Sequence, residues 1–352
     1  MNRPLLHRLA PVVVGALGIV DRRVPESTRP FRRTRLFRPH TRSRLWGWTH
    51  YGVFLPDLPE PHRYLNTMTF IGATGTVCFD NDHLAARDVR DTATVLSATA
   101  HADQHHYRAY DSGTDCAFGE RTGHLAWGEN LAIELALPAV TVRGRYERFA
   151  VDLELTTGDT VAWFVRTAAY DHLSLLASYR GTITDAAGEH EIGGLGTVEY
   201  ARCVSPQTAS ATPLAEHRKL PVDFFTYQIV NLGADTQLLL TDVRAAGASA
   251  CRLAQLRTRD GRTQVFEQTR CTVAEYLPEP LTDPIGRTMR APRRMRWTIG
   301  PSNDPVIAIE ATVDSPYRFG HGRGYVAAFT HYTTWSGHTS TGTGYLEWID
   351  CT

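Results

Sequence analysis

Gly194-Leu195-Gly196-Thr197-Val198-Glu199-Tyr200, near the middle of the 352-residue chain, is echoed near its end by Gly342-Thr343-Gly344-Tyr345-Leu346-Glu347-Trp348. The shared pattern, Gly-x-Gly-x-(Val/Leu)-Glu-aromatic, recurs after 148 residues, each time closing a stretch of short strand-like segments. A repeat of that length is a whole domain rather than a solenoid unit. The length of the chain also suits two domains of about 150 residues each. The repeat therefore predicts two similar β-barrels or sandwiches in tandem.

Working outward, the strand pattern starts at Trp46. Trp48 to Phe54 and Tyr64 to Ile71 are β-branched and aromatic runs separated by Pro56-Asp57-Leu58-Pro59-Glu60-Pro61, which reads as a connector. Phe149, Val151, Leu153 and Leu155 alternate with polar or small residues, Gly158-Asp159 reads as a turn, and Val161, Trp163 and Val165 alternate again. Leu173–Thr184 and Glu191–Tyr200 flank Asp185-Ala186-Ala187-Gly188 as a further hairpin. In the second half, Asp260-Gly261 is a two-residue turn signal, since it accepts the positive φ of a primed turn. Ser205 to Pro213 interrupts the periodicity and is the linker candidate. The expected domains are residues 1–45 as a basic arm, 46–205 as the first barrel and 206–352 as the second. Only the arm and Asp82 to Val95 look helical.

A formal net charge of zero hides an asymmetry. Residues 1–45 hold eleven Arg against Asp21 and Glu26, or 11 − 2 = +9, so the remainder carries −9. A basic arm on an acidic body suits an anionic partner for the arm, while the body repels polyanions. Leu5 to Val20 carries apolar residues at helical spacing. Its apolar run is shorter than the roughly 20 residues a membrane span needs. It reads either as a helix docked on a barrel or as peripheral contact with a membrane surface. No nucleic-acid partner is expected. The six cysteines show no zinc spacing and suit reduced thiols of a cytoplasmic protein.

Tyr170, Ser174, Tyr179, Gly181, Ile183, Gly188, Ile192, Gly194 and Glu199, with the opening Trp48-Thr49-His50-Tyr51, resemble the family of carotenoid 1,2-hydratase and AttH-like proteins. The resemblance implies an all-β fold of two tandem lipocalin-like antiparallel barrels, and a hydrophobic ligand such as a lipid, sterol or isoprenoid. It does not choose a reaction. The Trp and Asp/His-rich signature that usually follows the Gly in hydratase-like members is replaced here by Gly196-Thr197-Val198-Glu199-Tyr200, which puts hydration in doubt.

The ligand is expected in a barrel or between the barrels, with Tyr110, Trp127, Trp163, Tyr179, Tyr227, His331 and Trp335 as candidate contacts. Binding or transfer of the ligand is one reading. The alternative is a cofactor-free hydratase, cyclase or isomerase acting on an isoprenoid or polyketide-like substrate by acid catalysis, which needs a carboxylic acid kept protonated by an apolar cavity and an aromatic wall for a developing cation. The candidate acids are Glu129, Asp171 and Asp223. Glu199 and Glu347 are read as structural, because a catalytic acid is needed once and these occur twice. His101 and His105 read as a polar loop or an exposed strand edge rather than a zinc site. Gly320-His321-Gly322-Arg323-Gly324 reads as a flexible turn or bulge, since it lacks the context of a dinucleotide or phosphate loop. No metal and no cofactor is assigned.

Overall fold

The computed structural model describes residue 15 and residues 20–41, 43–80, 84–301 and 303–352. The first sheet has eleven strands: β1 (Trp46–Leu55), β2 (Leu65–Gly72), β3 (Thr92–Thr99), β4 (His105–Asp111), β5 (Cys116–Phe118), β6 (His124–Trp127), β7 (Leu131–Ala136), β8 (Ala139–Arg145), β9 (Ala150–Arg166), β10 (Tyr170–Asp185) and β11 (Gly188–Val204). It curls into a nearly closed antiparallel barrel in the order 4-3-2-1-11-10-9-8-7-6-5, with the last strand inserted beside the first.

The second sheet repeats that device. Its strands are β12 (Val222–Asn231), β13 (Thr236–Ala245), β14 (Ala248–Thr258), β15 (Thr263–Phe266) and β16 (Thr269–Tyr276). They are followed, after the small β17 (Leu281–Thr282) and β18 (Thr288–Met289) pair, by β19 (Pro292–Ile299), β20 (Ile307–Val313), β21 (Arg318–His321), β22 (Gly324–Trp335) and β23 (His338–Asp350). Here β12 lies between β13 and β23, as β1 lies between β2 and β11. The fold is thus all-β and consistent with tandem lipocalin-like barrels, the second being a half-barrel. Between Val204 and Val222 the chain makes only short 3-10 turns.

Alternation along each strand builds two cores. On β1, Tyr51, Val53 and Leu55 point into the first barrel, while Trp48 and Phe54 belong to a different cluster that continues into the second sheet. The interior of the first barrel is filled by Trp127, Trp163, Tyr110 and their neighbours. The second core joins the outer face of the first barrel to the second sheet, where Phe54 stacks on Tyr345 at 5.3 Å. Each such large buried side chain contributes roughly 1.5–3 kcal/mol of transfer free energy, so the two sheets dock as one body.

Two expectations are corrected. Gly158-Asp159 is no turn, because β9 runs unbroken from Ala150 to Arg166. Its pairing with β10 jumps from Leu175↔Val161 to Ala177↔Thr157. The extra residues form a bulge, which glycine tolerates, and the lengthened strand sends Trp163 into the barrel and Phe164 into the shared core. Of the segment Asp82 to Val95, expected to be helical, the described residues from 84 onward hold only a 3-10 turn at Val89–Asp91 before entering β3.

The described part of the arm docks. Phe31 and Phe37 are buried against the first barrel, and the Phe37 ring lies 4.9 Å from Tyr200. Except for Gly15 and Val20, the apolar segment Leu5 to Val20 lies outside the described residues. Among the described residues no helix is long and apolar enough to cross a membrane.

Candidate functional site

On β1, β11 and β10 the ladder sets His50 opposite Ala201, and Ala201 opposite His172. Two residues along β11, Glu199 stands between Gly52 and Ser174. These positions share one face, the outer face of the first barrel, because alternate residues along a strand point the same way. Gly52 has no side chain, and the place one would take is filled by the Phe54 ring and His50. Facing them from the second sheet are Tyr227 of β12 and, directly opposite it in the ladder, Glu347 of β23. His321 joins them from the tight turn between β21 and β22.

These groups line a cavity of about 590 Å³ between the two sheets. The rest of its wall is mostly apolar and includes Trp48, Phe54, Phe70, Phe79, Phe164, Tyr170 and Phe225. Asp21 and Arg23 of the arm also line it, and the Arg23 guanidinium donates to the carbonyls of Phe164 and Ala250, bridging the two sheets.

The polar cluster is closely connected. The Tyr227 hydroxyl donates to Glu199 Oε1 at 2.5 Å, and the Tyr345 hydroxyl to Glu347 Oε1 at 2.9 Å. Glu347 Oε2 lies 3.2 Å from His321 Nε2, and Glu199 Oε2 lies 3.8 Å from His172 Nε2. His50 Nδ1 is 2.9 Å from the Thr69 carbonyl. A carbonyl only accepts, so this nitrogen carries the proton and Nε2 presents its lone pair. Among the described residues neither glutamate has an arginine or lysine in ion-pair contact.

Burial in this apolar surrounding penalises charge. It raises the Glu347 carboxyl well above the usual carboxylate range, with the nearby Glu199 adding to the effect and the Tyr345 hydroxyl opposing it. It pulls His50 down to about 4 and His321 well below its ordinary value, and neighbouring imidazoles push both the same way. Arg257, wholly buried, is lowered by burial to about 10 despite the opposing pull of Tyr227 and Glu199. It holds the sheets together by donating to the Ser174 carbonyl at 2.8 Å and to Gln237 Oε1 at 2.7 Å. The arrangement offers an apolar chamber with one polar wall, where carboxyls, imidazoles and tyrosine hydroxyls converge.

Of the ligand contacts and acids proposed from sequence, Tyr227 alone lines this cavity. Tyr110, Trp127, Trp163 and Tyr179 belong to the interior core of the first barrel. His331 is buried on the face of β22 that also carries Phe329, with Nδ1 2.9 Å from Thr333 Oγ1. Trp335 is half-buried at the end of β22. Glu129 is exposed in the turn between β6 and β7. Asp171 is buried in ion pairs with Arg166 and, at 2.8 Å, with Arg202. Asp223 is half-buried near the start of β12, where its carbonyl accepts from Cys351 N, and it does not line the cavity.

The acidic groups of the cavity are instead Glu199 and Glu347, the duplicated pair read from sequence as structural. His321 was missed inside a segment read as a flexible turn or bulge, and the ladder is indeed irregular between Phe319 and His321. That turn is packed, since a Cβ on Gly322 (φ +56°) would stand 2.5 Å from the Cys78 carbonyl oxygen, and the glycine fixes how His321 enters the site.

The chain belongs to DUF6670, a family of unknown function whose model matches residues 68–352. No curated protein matches it. Its fold is similar to two crystal structures of CghA. One, with Sch210972, has a TM-score of 0.52 at 9% identity, covering 88% of this chain and 89% of that one. The other, of CghA alone, has a TM-score of 0.50 with the same identity and coverage. Identity this low speaks for the fold alone.

Proposed function

We propose that the cavity between the sheets binds a hydrophobic small molecule that carries one oxygen-bearing end, of the lipid, sterol or isoprenoid class. The apolar chamber with a single polar wall carries this reading. Aromatic and aliphatic side chains take the body of the ligand, and the glutamates, histidines and Tyr227 fix the orientation of its oxygen, the usual division of labour in small-molecule sites. The likeness in fold to CghA, whose structure was solved with Sch210972, supports small-molecule binding. The resemblance of the sequence to the carotenoid 1,2-hydratase and AttH-like proteins supports the isoprenoid end of that range.

The test is mass spectrometry of an organic extract of protein purified without detergent, together with thermal shifts against a panel of sterols, fatty acids and isoprenoid alcohols. A compound recovered near one per chain, or a shift abolished by filling the cavity, supports the reading. No extract and no shift across the panel overturns it.

A second reading is favoured by the position of Glu347, a buried carboxyl with no arginine or lysine partner among the described residues, in a cavity walled by aromatic rings. Here Glu347 gives its proton to an alkene of the bound ligand, and the carbocation that forms is held against the faces of Trp48, Phe70 or Phe164. Water or a second alkene then supplies the electron pair that quenches the cation, and the released proton returns to the carboxylate. Glu347→Gln should then leave binding intact and lower turnover by about 10²–10⁴-fold, the usual worth of a positioned acid.

A further inference from the structure

We propose that His50, His172 and Glu199 form a binding site for one divalent first-row transition-metal ion, open on its remaining side to the cavity. One ligand atom of each residue lies within 4.8 Å of the others. Two imidazoles and a carboxylate suit zinc, iron(II), manganese or cobalt, and are poorly matched to calcium or magnesium, which take mostly oxygen.

Three observations carry the site. First, the 3.8 Å between His172 Nε2 and Glu199 Oε2 exceeds a hydrogen bond. Two donors bound to one ion at about 2.0–2.1 Å can stand no more than roughly 4.2 Å apart, so this gap fits a shared ion. Second, His172 Nε2 is buried with no hydrogen-bond partner. Third, the far atom of each ligand is held. His50 Nδ1 donates to the Thr69 carbonyl at 2.9 Å, His172 Nδ1 faces the Tyr170 hydroxyl at 3.3 Å, and Glu199 Oε1 accepts from the Tyr227 hydroxyl at 2.5 Å. Outer partners of this kind orient metal ligands, and their loss typically costs 10–100-fold in affinity. Closing the three donors onto one ion takes side-chain movements on the order of 1 Å.

The site deepens the cavity reading, because a bound ion would take the oxygen-bearing end of the ligand, yet loading can be measured without any organic ligand. The chelator-treated full-length chain is titrated with cobalt(II), reading its visible ligand-field bands, and with zinc(II), reading bound metal after gel filtration. A second cluster, His62, Asp185 and His190, lies elsewhere on the first barrel. The titration is therefore run in a His190→Ala background.

One equivalent should bind with the spectrum of a four- or five-coordinate cobalt. Tyr227→Phe should weaken binding by 10–100-fold, and His172→Ala or Glu199→Gln should remove it. Failure of the background protein to bind either ion overturns the proposal, as does binding that survives both ligand substitutions. If those variants do not fold, pulsed paramagnetic resonance of copper(II) in the background protein counts the bound imidazoles. Two support the site, and none or one overturns it. An empty organic extract alongside full metal loading would sink the hydrophobic-ligand reading alone.

Discussion

His331 offers a sharp test of where the sequence reading and the structure part. As a ligand contact it would face an occupied chamber, whereas the structure buries it beside Thr333, with Gly342 opposite. Burial alone pulls its pKa from 6.5 to about 4. Between those values the unfolded chain binds a proton at this position and the native chain does not. Unfolding therefore takes up a proton, so stability rises with pH across the window. The contribution is fully present above about 6.5 and is lost as pH falls toward 4.

At 1.36 kcal/mol per pKa unit the full span is worth about 3 kcal/mol, of which about 2.5 kcal/mol is expressed between pH 7 and pH 4.5. His331→Gln keeps a polar group for Thr333 but removes the titration. Urea unfolding at pH 7, 5.5 and 4.5 should show the wild type losing about 2.5 kcal/mol more than the variant over that range. Other histidines lowered to about 4, such as His106, contribute equally to both proteins and cancel. Parallel pH profiles for the two proteins would refute the placement of His331 as a buried neutral core residue.

Other outcomes follow from the same geometry. Asp171→Asn strips Arg166 and Arg202 of a shared buried partner. It should lower stability by about 2–3 kcal/mol, below the usual 3–5 because both guanidinium groups are partly exposed. It should leave cavity occupancy unchanged, and a normal urea midpoint would contradict the role given to Asp171. Ala201→Phe puts a ring between His50 and His172, so it should abolish ligand recovery and metal loading at a cost of about 1–3 kcal/mol from overpacking. Retained binding would place the ligand elsewhere.

The fold was legible because its signals are local. Asp260-Gly261 does turn β14 into β15, and Asp185 to Gly188 does turn β10 into β11. The one failed turn, Gly158-Asp159, shows the limit of such signals. Glycine followed by a polar residue is equally suited to a bulge, and only the long partner β10 decides between them. The site was far less legible. Its residues sit on the face of each strand that points away from its own barrel, so Tyr51, Tyr200 and Leu173 read as core while His50, Glu199 and His172 read as a wet polar face. Only the docking of a second sheet removes that face from water, and nothing within a single strand records it.

The duplication that revealed the fold also held the missed signal. A duplicated glutamate is redundant if each copy serves its own barrel, and that premise supported the structural reading. When two similar sheets pack through equivalent faces, however, a residue at the contact meets its own counterpart, as in a two-fold interface. Glu199 on β11 and Glu347 on β23 occupy equivalent strands, and Glu199 lies near enough to add to the effect of burial in lifting the Glu347 carboxyl. Their surroundings have then diverged. Opposite Glu199 stands Gly52, which gives space for His50, whereas opposite Glu347 stands Tyr227, which reaches across to hydrogen-bond Glu199. One glutamate thus keeps a tyrosine donor and lies beside two imidazoles, while the other is held by Tyr345 and His321. That unequal pairing makes different chemical roles for the two copies possible, and it makes Gly52→Ala a test of the division. The added Cβ would meet the Phe54 ring at 2.5 Å and His50 Nε2 at 3.0 Å. The substitution should therefore weaken metal loading through His50, and loading at wild-type affinity would count against the asymmetric assignment.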